Sequence, residues 1–322
     1  MEAVDERFLP VPGNVLPRFA GVPTFMRLPR RELDQLGDVD IALGGVPFDT
    51  ATSNRPGARH GPRQLRDLST MIRLMNQATR VAPFHLARCA DLGDVVVNPV
   101  SVEDSRGRIA AWYRELAAAG VVPLTAGGDH FISWPILEAL AADRPLGMIH
   151  VDAHSDLYPP FFGGWDSHGT PFRRAIEAGL LDPARVVQIG LRGTSIDMSD
   201  VDFAHAHGVR MVYVEELFDR RVDDVMDEAR RIVGDAPIYV SFDIDAIDPS
   251  QAPGTGTPEV GGLWVHQAQR LIRRLMGLEV VGADLVEVSP PWDNSGNTAW
   301  VGVNLMFELL CVLADRVHRR RG

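Results

Sequence analysis

Ionisable residues recur at a spacing of two in the segment Gly147-Met148-Ile149-His150-Val151-Asp152-Ala153-His154-Ser155-Asp156, where a short apolar run passes directly into acids and a histidine. Alternation along an extended chain predicts that Asp152, His154 and Asp156 share one side. Three such groups at a strand end repel one another and lose hydration unless a cation lies among them. A motif this short also has a plainer reading, a solvated turn with a helix cap. Ile238-Tyr239-Val240-Ser241-Phe242-Asp243-Ile244-Asp245 repeats the design, an apolar run ending in two carboxylates, and Val121 to His130 delivers a histidine after the turn Gly127-Gly128-Asp129. Alone, His130 reads as a hydrogen-bonded loop histidine, and one of the two acids as a cap for the turn at Asp248-Pro249.

Taken together, these are two histidines and four carboxylates at the carboxyl ends of three predicted strands. Oxygen and imidazole donors without thiolate suit Mn²⁺, with Ni²⁺, Co²⁺ and Zn²⁺ less favoured. The two cysteines, Cys89 and Cys311, are expected to be small core residues. Six protein ligands are too many for one catalytic ion that keeps a position open, whereas bridging carboxylates let them serve two. A dinuclear centre is the expectation.

The elements that must carry these residues are short β-branched runs alternating with amphipathic stretches. The runs are Asp40–Leu43, Val121–Leu124, Gly147–Val151, Val186–Ile189, Met211–Val214, Ile238–Phe242 and Val280–Ala283. Between them, Ser101 to Ala119 opens with Ser101 and Asp104 in capping-box positions and stops at Gly120, and Val222 to Val233 stops at Gly234. Thr298 to Arg319 reads as a long terminal helix with a basic end. Strand followed by helix, repeated, predicts a three-layer αβα sandwich around a mainly parallel sheet of about eight strands, with ligands at the strands' carboxyl ends.

The 322 residues are 45% hydrophobic, enough for a large core, and no linker or repeat divides them. A single domain spanning 1–322 is expected, with residues 1–36 as an N-terminal extension packed on it. The 32 Lys+Arg against 43 Asp+Glu give a net charge of −11, which opposes binding to a phosphate backbone and mildly favours cationic ligands. No run approaches ~18 consecutive apolar residues and the first residues lack a signal-peptide pattern, so neither a nucleic-acid nor a membrane partner is expected, and the protein is expected in the cytoplasm.

Four motifs, Gly127-Gly128-Asp129-His130, Asp152-Ala153-His154-Ser155-Asp156, Ser241 to Pro249 and Glu287-Val288-Ser289-Pro290, resemble the arginase/agmatinase ureohydrolases, in that family's order and from about Gly45 onward. Pro253-Gly254-Thr255-Gly256-Thr257-Pro258 fits the same pattern, and Pro17 to Gly21 with Phe25 to Pro29 is similar to the agmatinase, guanidinobutyrase and proclavaminate amidinohydrolase branch. The resemblance implies two Mn²⁺ per chain, one held by His130, Asp152, Asp156 and Asp243, the other by Asp152, His154, Asp243 and Asp245, with Ni²⁺ or Co²⁺ as substitutes. It implies that Glu287 pairs with a substrate guanidinium and that His168 shuttles protons; on mechanistic grounds Asp156 is expected to accept a proton during turnover. Asp284, Asp129 and Thr257 are candidates for orienting ligands.

The implied reaction hydrolyses a small guanidino substrate, agmatine or an ω-guanidino acid such as 4-guanidinobutyrate, to urea and a primary amine. A formiminoglutamase-type hydrolase and a catalytically silent binding subunit are the alternatives. Tyr158, in the Leu157-Tyr158 step where arginases carry an Asn, is expected to meet substrate and disfavours L-arginine. The aromatic loop 159–165 walls either a tail pocket or a subunit contact. Arg59 or Arg173 either binds a carboxylate tail or makes a structural ion pair. A homo-oligomer, trimer or hexamer, is what the resemblance implies.

Overall fold

The computed structural model describes residues 4–161 and 163–321. Phe162, in the aromatic loop, lies outside the described residues. Eight strands, β1 (Ile41–Val46), β2 (Cys89–Asp94), β3 (Val122–Gly127), β4 (Leu146–Val151), β5 (Leu181–Leu191), β6 (Arg210–Tyr213), β7 (Ile238–Asp243) and β8 (Val280–Val286), form one sheet in the order β2-β1-β3-β8-β7-β4-β5-β6. Every neighbouring pair is parallel. The strands are apolar on both faces because helices cover both.

On one face, Leu43, Leu124, Ile149, Val240 and Leu285 pack with residues of α1 (Gly61–Ser69), α7 (Val222–Val233), α8 (Val265–Arg273) and α9 (Asn297–Arg321). On the other, Ala42, Met148, Val186 and Tyr239 pack with residues of α2 (Val102–Ala118), α3 (Ser133–Leu140), α4 (Pro171–Glu177) and α5 (Ser199–His207). A short helix, α6 (Glu216–Asp219), follows β6. Ser101 caps α2 as its sequence position predicts, accepting the Asp104 N–H at 3.1 Å. Helix α9 is long and apolar enough to cross a membrane by length and composition, a property the count of consecutive apolar residues does not reveal; 83% of its most apolar window is buried in this fold.

Strand β2 was not among the predicted runs. It is one of the sheet's two edge strands, and its sequence, Cys89-Ala90-Asp91-Leu92-Gly93-Asp94, carries no β-branched residue. Buried Asp91 organises it, accepting from Phe25 N at 2.7 Å and Arg66 Nε at 2.9 Å, and so joins the N-terminal residues and α1 to the sheet.

The parallel register also builds a buried polar row that the separate segments do not show. Thr125, Asp284, Ser241, His150 and Gln188 are successive partners across β3, β8, β7, β4 and β5. Two residues further along, β4 leads into Asp152 and β7 ends at Asp243.

Chain entry to this region is tight at Gly128. A Cβ there would lie 2.6 Å from the Val46 carbonyl oxygen and closer still to that of Phe48, both backbone atoms. Gly128→Ala is expected to destabilise the fold by about 1–3 kcal/mol, the usual cost of overpacking. A lowered urea midpoint at unchanged m-value would show it; an unchanged midpoint would mean that the turn yields freely.

Candidate active site

The four adjacent central strands β3, β8, β7 and β4 each deliver an ionisable group at their carboxyl ends: His130, Glu287, Asp243 and Asp152, respectively. The spacing of two has a different origin from strand alternation, because β4 ends at Val151 and Asp152–Asp156 is a loop. In it, Asp152 Oδ1 accepts the His154 N–H at 2.7 Å. Asp243 Oδ1 likewise accepts the Asp245 N–H at 2.8 Å, and Asp129 Oδ1 the Phe131 N–H at 3.2 Å. Each is a side chain-to-backbone turn over two residues that fixes one carboxylate oxygen; in Asp152 and Asp243 the other oxygen faces His130. Asp156 and Glu287 both adopt left-handed backbone, with φ of 52° and 64°, a conformation uncommon outside glycine.

These devices converge six groups. His130 Nδ1 lies 3.1 Å from Asp152 Oδ2, 3.0 Å from Asp156 Oδ2 and 3.2 Å from Asp243 Oδ2. His154 Nδ1 lies 3.1 Å from Asp245 Oδ2 and 3.5 Å from Asp152 Oδ1. The polar row determines which nitrogen of His130 faces the acids. Asp284 accepts from Ser241 Oγ at 2.6 Å, so Ser241 accepts in turn from His130 Nε2 at 2.7 Å. In the neutral ring Nδ1 then directs a lone pair at three carboxylate oxygens, and it has no hydrogen-bond partner of its own. Such an arrangement requires a cation between the atoms, either a proton or a metal ion.

The titration behaviour expresses the same demand. Burial, which lowers the His130 pKa, is outweighed by the Asp152, Asp156 and Asp243 carboxylates close to Nδ1, which hold a proton there and raise it well above the usual imidazole value. Burial together with repulsion from Asp245 and Asp152 drives Asp243 well above the carboxylate range. Burial and Asp152 push Asp245 up to about 6. Protons can neutralise these groups one at a time, whereas divalent cations answer all of them together, and the donor set of imidazole and carboxylate fits such ions.

His150, which the motif spacing does not single out, lies beside His130, Asp152 and Asp156 and could itself offer a nitrogen to an ion. Gln188 Nε2 donates to its Nδ1 at 3.0 Å and to the Ser155 carbonyl at 2.5 Å, leaving His150 Nε2–H to donate to Asp152 Oδ2 at 2.8 Å. Asp284 additionally accepts from Tyr239 and Ser133, at 2.7 and 2.6 Å. Asp129 Oδ2 holds the Ala51 N–H at 2.9 Å, and Thr257 Oγ1 donates to Asp245 Oδ2 at 3.3 Å.

Beside the cluster, Glu287 Oε1 accepts from His130 N and from His168 Nδ1, each at 3.0 Å. Its Oε2 is buried without a hydrogen-bond partner, and a side chain at Gly256 would stand 3.4 Å from it. Burial lowers the His168 pKa, but Glu287, with Asp156 and Asp129 behind it, raises it to about 9. A cavity of about 230 Å³ is lined by His154, Asp156, Asp243, Asp245 and His168, with Tyr158, Phe161 and Ile196 as its bulky apolar walls. The Tyr158 hydroxyl lies 3.5 Å from Ser195 Oγ.

The two arginines considered for a substrate carboxylate are engaged elsewhere. Arg59 pairs with Asp49, and Arg173 pairs with Glu177 at 3.0 Å and stacks 4.4 Å over Phe203, so the ion-pair alternative describes both. Neither lines the cavity.

Residues 39–311 match the model of the Arginase family. The chain is 53% identical to guanidinopropionase of Pseudomonas aeruginosa, over 96% of this chain and 97% of that protein. It is 48% identical to guanidinobutyrase of the same species, over 96% and 98%. The solved structure of proclavaminate amidino hydrolase from Streptomyces clavuligerus matches with a TM-score of 0.89 and 40% identity, covering 93% of this chain and 99% of that one. The chain therefore belongs to the arginase family.

Proposed function

We propose that this protein is an amidinohydrolase that hydrolyses a small guanidino compound to urea and a primary amine, using two divalent cations, Mn²⁺ by ligand type. The observation that carries the reading is the pairing of His130 Nδ1 with three carboxylate oxygens at 3.0–3.2 Å, next to a buried glutamate with one uncommitted oxygen. His130, Asp152, Asp156 and Asp243 would hold one ion, and Asp152, His154, Asp243 and Asp245 the other. What such a pair supplies when bound is water deprotonated near neutral pH.

The protein's own groups would do the rest. Glu287 offers Oε2 to a guanidinium N–H, and its charge matches the substrate's permanent cation, orienting the central carbon toward the metal ligands. Asp156, which lines the cavity, would take up a proton released during attack. His168, held by Glu287, would supply the proton that lets the amine depart, since an unprotonated amine is a poor leaving group. The relatives' names, guanidinopropionase and guanidinobutyrase, favour an ω-guanidino acid over agmatine. Tyr158 and Phe161 flank the space available to its tail.

Across 3-guanidinopropionate, 4-guanidinobutyrate, agmatine, proclavaminate-like substrates and L-arginine, assayed with Mn²⁺ and with Ni²⁺, urea release is expected to be fastest for one of the two acids. Formamide from a formimino substrate, with no urea from any guanidino compound, would overturn the reading. Metal-loaded protein should carry two ions per chain, and Asp152→Asn or Asp243→Asn should lower that content and abolish turnover; either variant retaining full content and activity removes its residue from the centre. Glu287→Gln should reduce kcat/KM by at least ~30-fold, equivalent to ~2 kcal/mol for a lost charged hydrogen bond. An unchanged value would exclude Glu287 from substrate binding.

A further inference from the structure

Both ring nitrogens of His168 are already committed. Nδ1 meets Glu287 Oε1 at 3.0 Å. Nε2 lies 2.7 Å from Ser53 Oγ and accepts the Ser53 backbone N–H at 3.2 Å. The contact joins residues 115 positions apart, and it is buttressed by the His168 N–H donating to the Ala51 carbonyl at 3.1 Å. A proton leaving His168 therefore goes either to Glu287, whose charge is needed for the guanidinium, or to Ser53. Ser53 is exposed and lines the same cavity as His154, Asp156 and Tyr158. Ser53 therefore borders the space that a bound guanidino substrate would occupy.

We propose that the Ser53 hydroxyl passes the His168 proton to the departing nitrogen, an inference that rests on the amidinohydrolase reading. In this step the Nε2–H bond of the His168 imidazolium breaks as an O–H bond forms on Ser53 Oγ. The original Ser53 O–H bond breaks as the lone pair of the departing nitrogen takes that proton; the C–N bonding pair then goes to the nitrogen while a lone pair on the added oxygen closes the C=O bond of urea. Ser53 ends unchanged and His168 ends neutral, its Nε2 lone pair then accepting the Ser53 backbone N–H, which is the arrangement in the structure. Solvent returns the proton to His168 before the next turnover. The hydroxyl thus acts as donor and acceptor in one motion, a task that alanine cannot perform and threonine can.

The test compares full-length, Mn²⁺-loaded wild type, Ser53→Ala and Ser53→Thr on 3-guanidinopropionate and 4-guanidinobutyrate, with metal content measured on each sample. Ser53→Ala is expected to lose roughly 10- to 100-fold in kcat with KM within about threefold and two ions still bound, as loss of one general-acid contact would give. Ser53→Thr should recover kcat to within about threefold of wild type. Rates in H₂O/D₂O mixtures should give a curved dependence for wild type, from two protons in flight, and a straight line for the alanine variant. Ser53→Ala with kcat within twofold of wild type overturns the proposal, as does a threonine variant as impaired as the alanine one, or a loss that tracks lost metal. An active wild type beside an unimpaired Ser53→Ala removes Ser53 alone, whereas no urea from wild type on any compound of the substrate panel defeats the underlying reaction and this step with it.

Discussion

Four carboxylates and two imidazoles crowd the carboxyl ends of β3, β4 and β7, nearly all of them withdrawn from water, and the rest of the molecule is organised to tolerate that charge. Groups of one sign this close are costly in a medium of low polarity unless cations share the space. The parallel sheet is what allows the concentration: its strands all deliver their carboxyl ends to one edge, and the order β3-β8-β7-β4 puts the contributing strands side by side. Helices on both faces keep solvent from the sheet while leaving that edge open to the cavity.

Beneath the acids lies the row Thr125, Asp284, Ser241, His150 and Gln188, each with a hydrogen-bonding partner in the interior. Its effect is directional. Asp284 orders Ser241, Ser241 orders His130, and Gln188 orders His150 against Asp152, so the groups that would grip metal ions are set in one orientation before any ion arrives. Backbone amides perform the matching task from above, each fixing one oxygen of Asp129, Asp152 and Asp243. Preorganisation of this kind places its cost in folding rather than in binding.

Much of this was legible in the chain. The alternation of apolar runs and helices specified the parallel sandwich, because each run was too short and too β-branched for a helix, and Ser101 and Gly120 bounded a helix through local chemistry alone. The His/Asp cluster was legible because aspartate and histidine are rare inside apolar runs. The two-residue spacing mimics strand alternation, however, and arises from side-chain turns at the strand ends. Edge strand β2 escaped notice because its stability comes from Asp91 and its long-range partners, not from its own composition. His150, Gln188 and Ser53 were illegible for a related reason: each acts through a residue remote in sequence, and only pairing register or loop closure brings the partners together.

The two-cation centre is tested most directly by diffraction from crystals grown with Mn²⁺, with data collected at the manganese absorption edge. Two anomalous peaks should appear per chain, one surrounded by His130, Asp152, Asp156 and Asp243 and the other by Asp152, His154, Asp243 and Asp245. No peak among these side chains, or manganese bound only elsewhere on the molecule, would contradict the proposed centre.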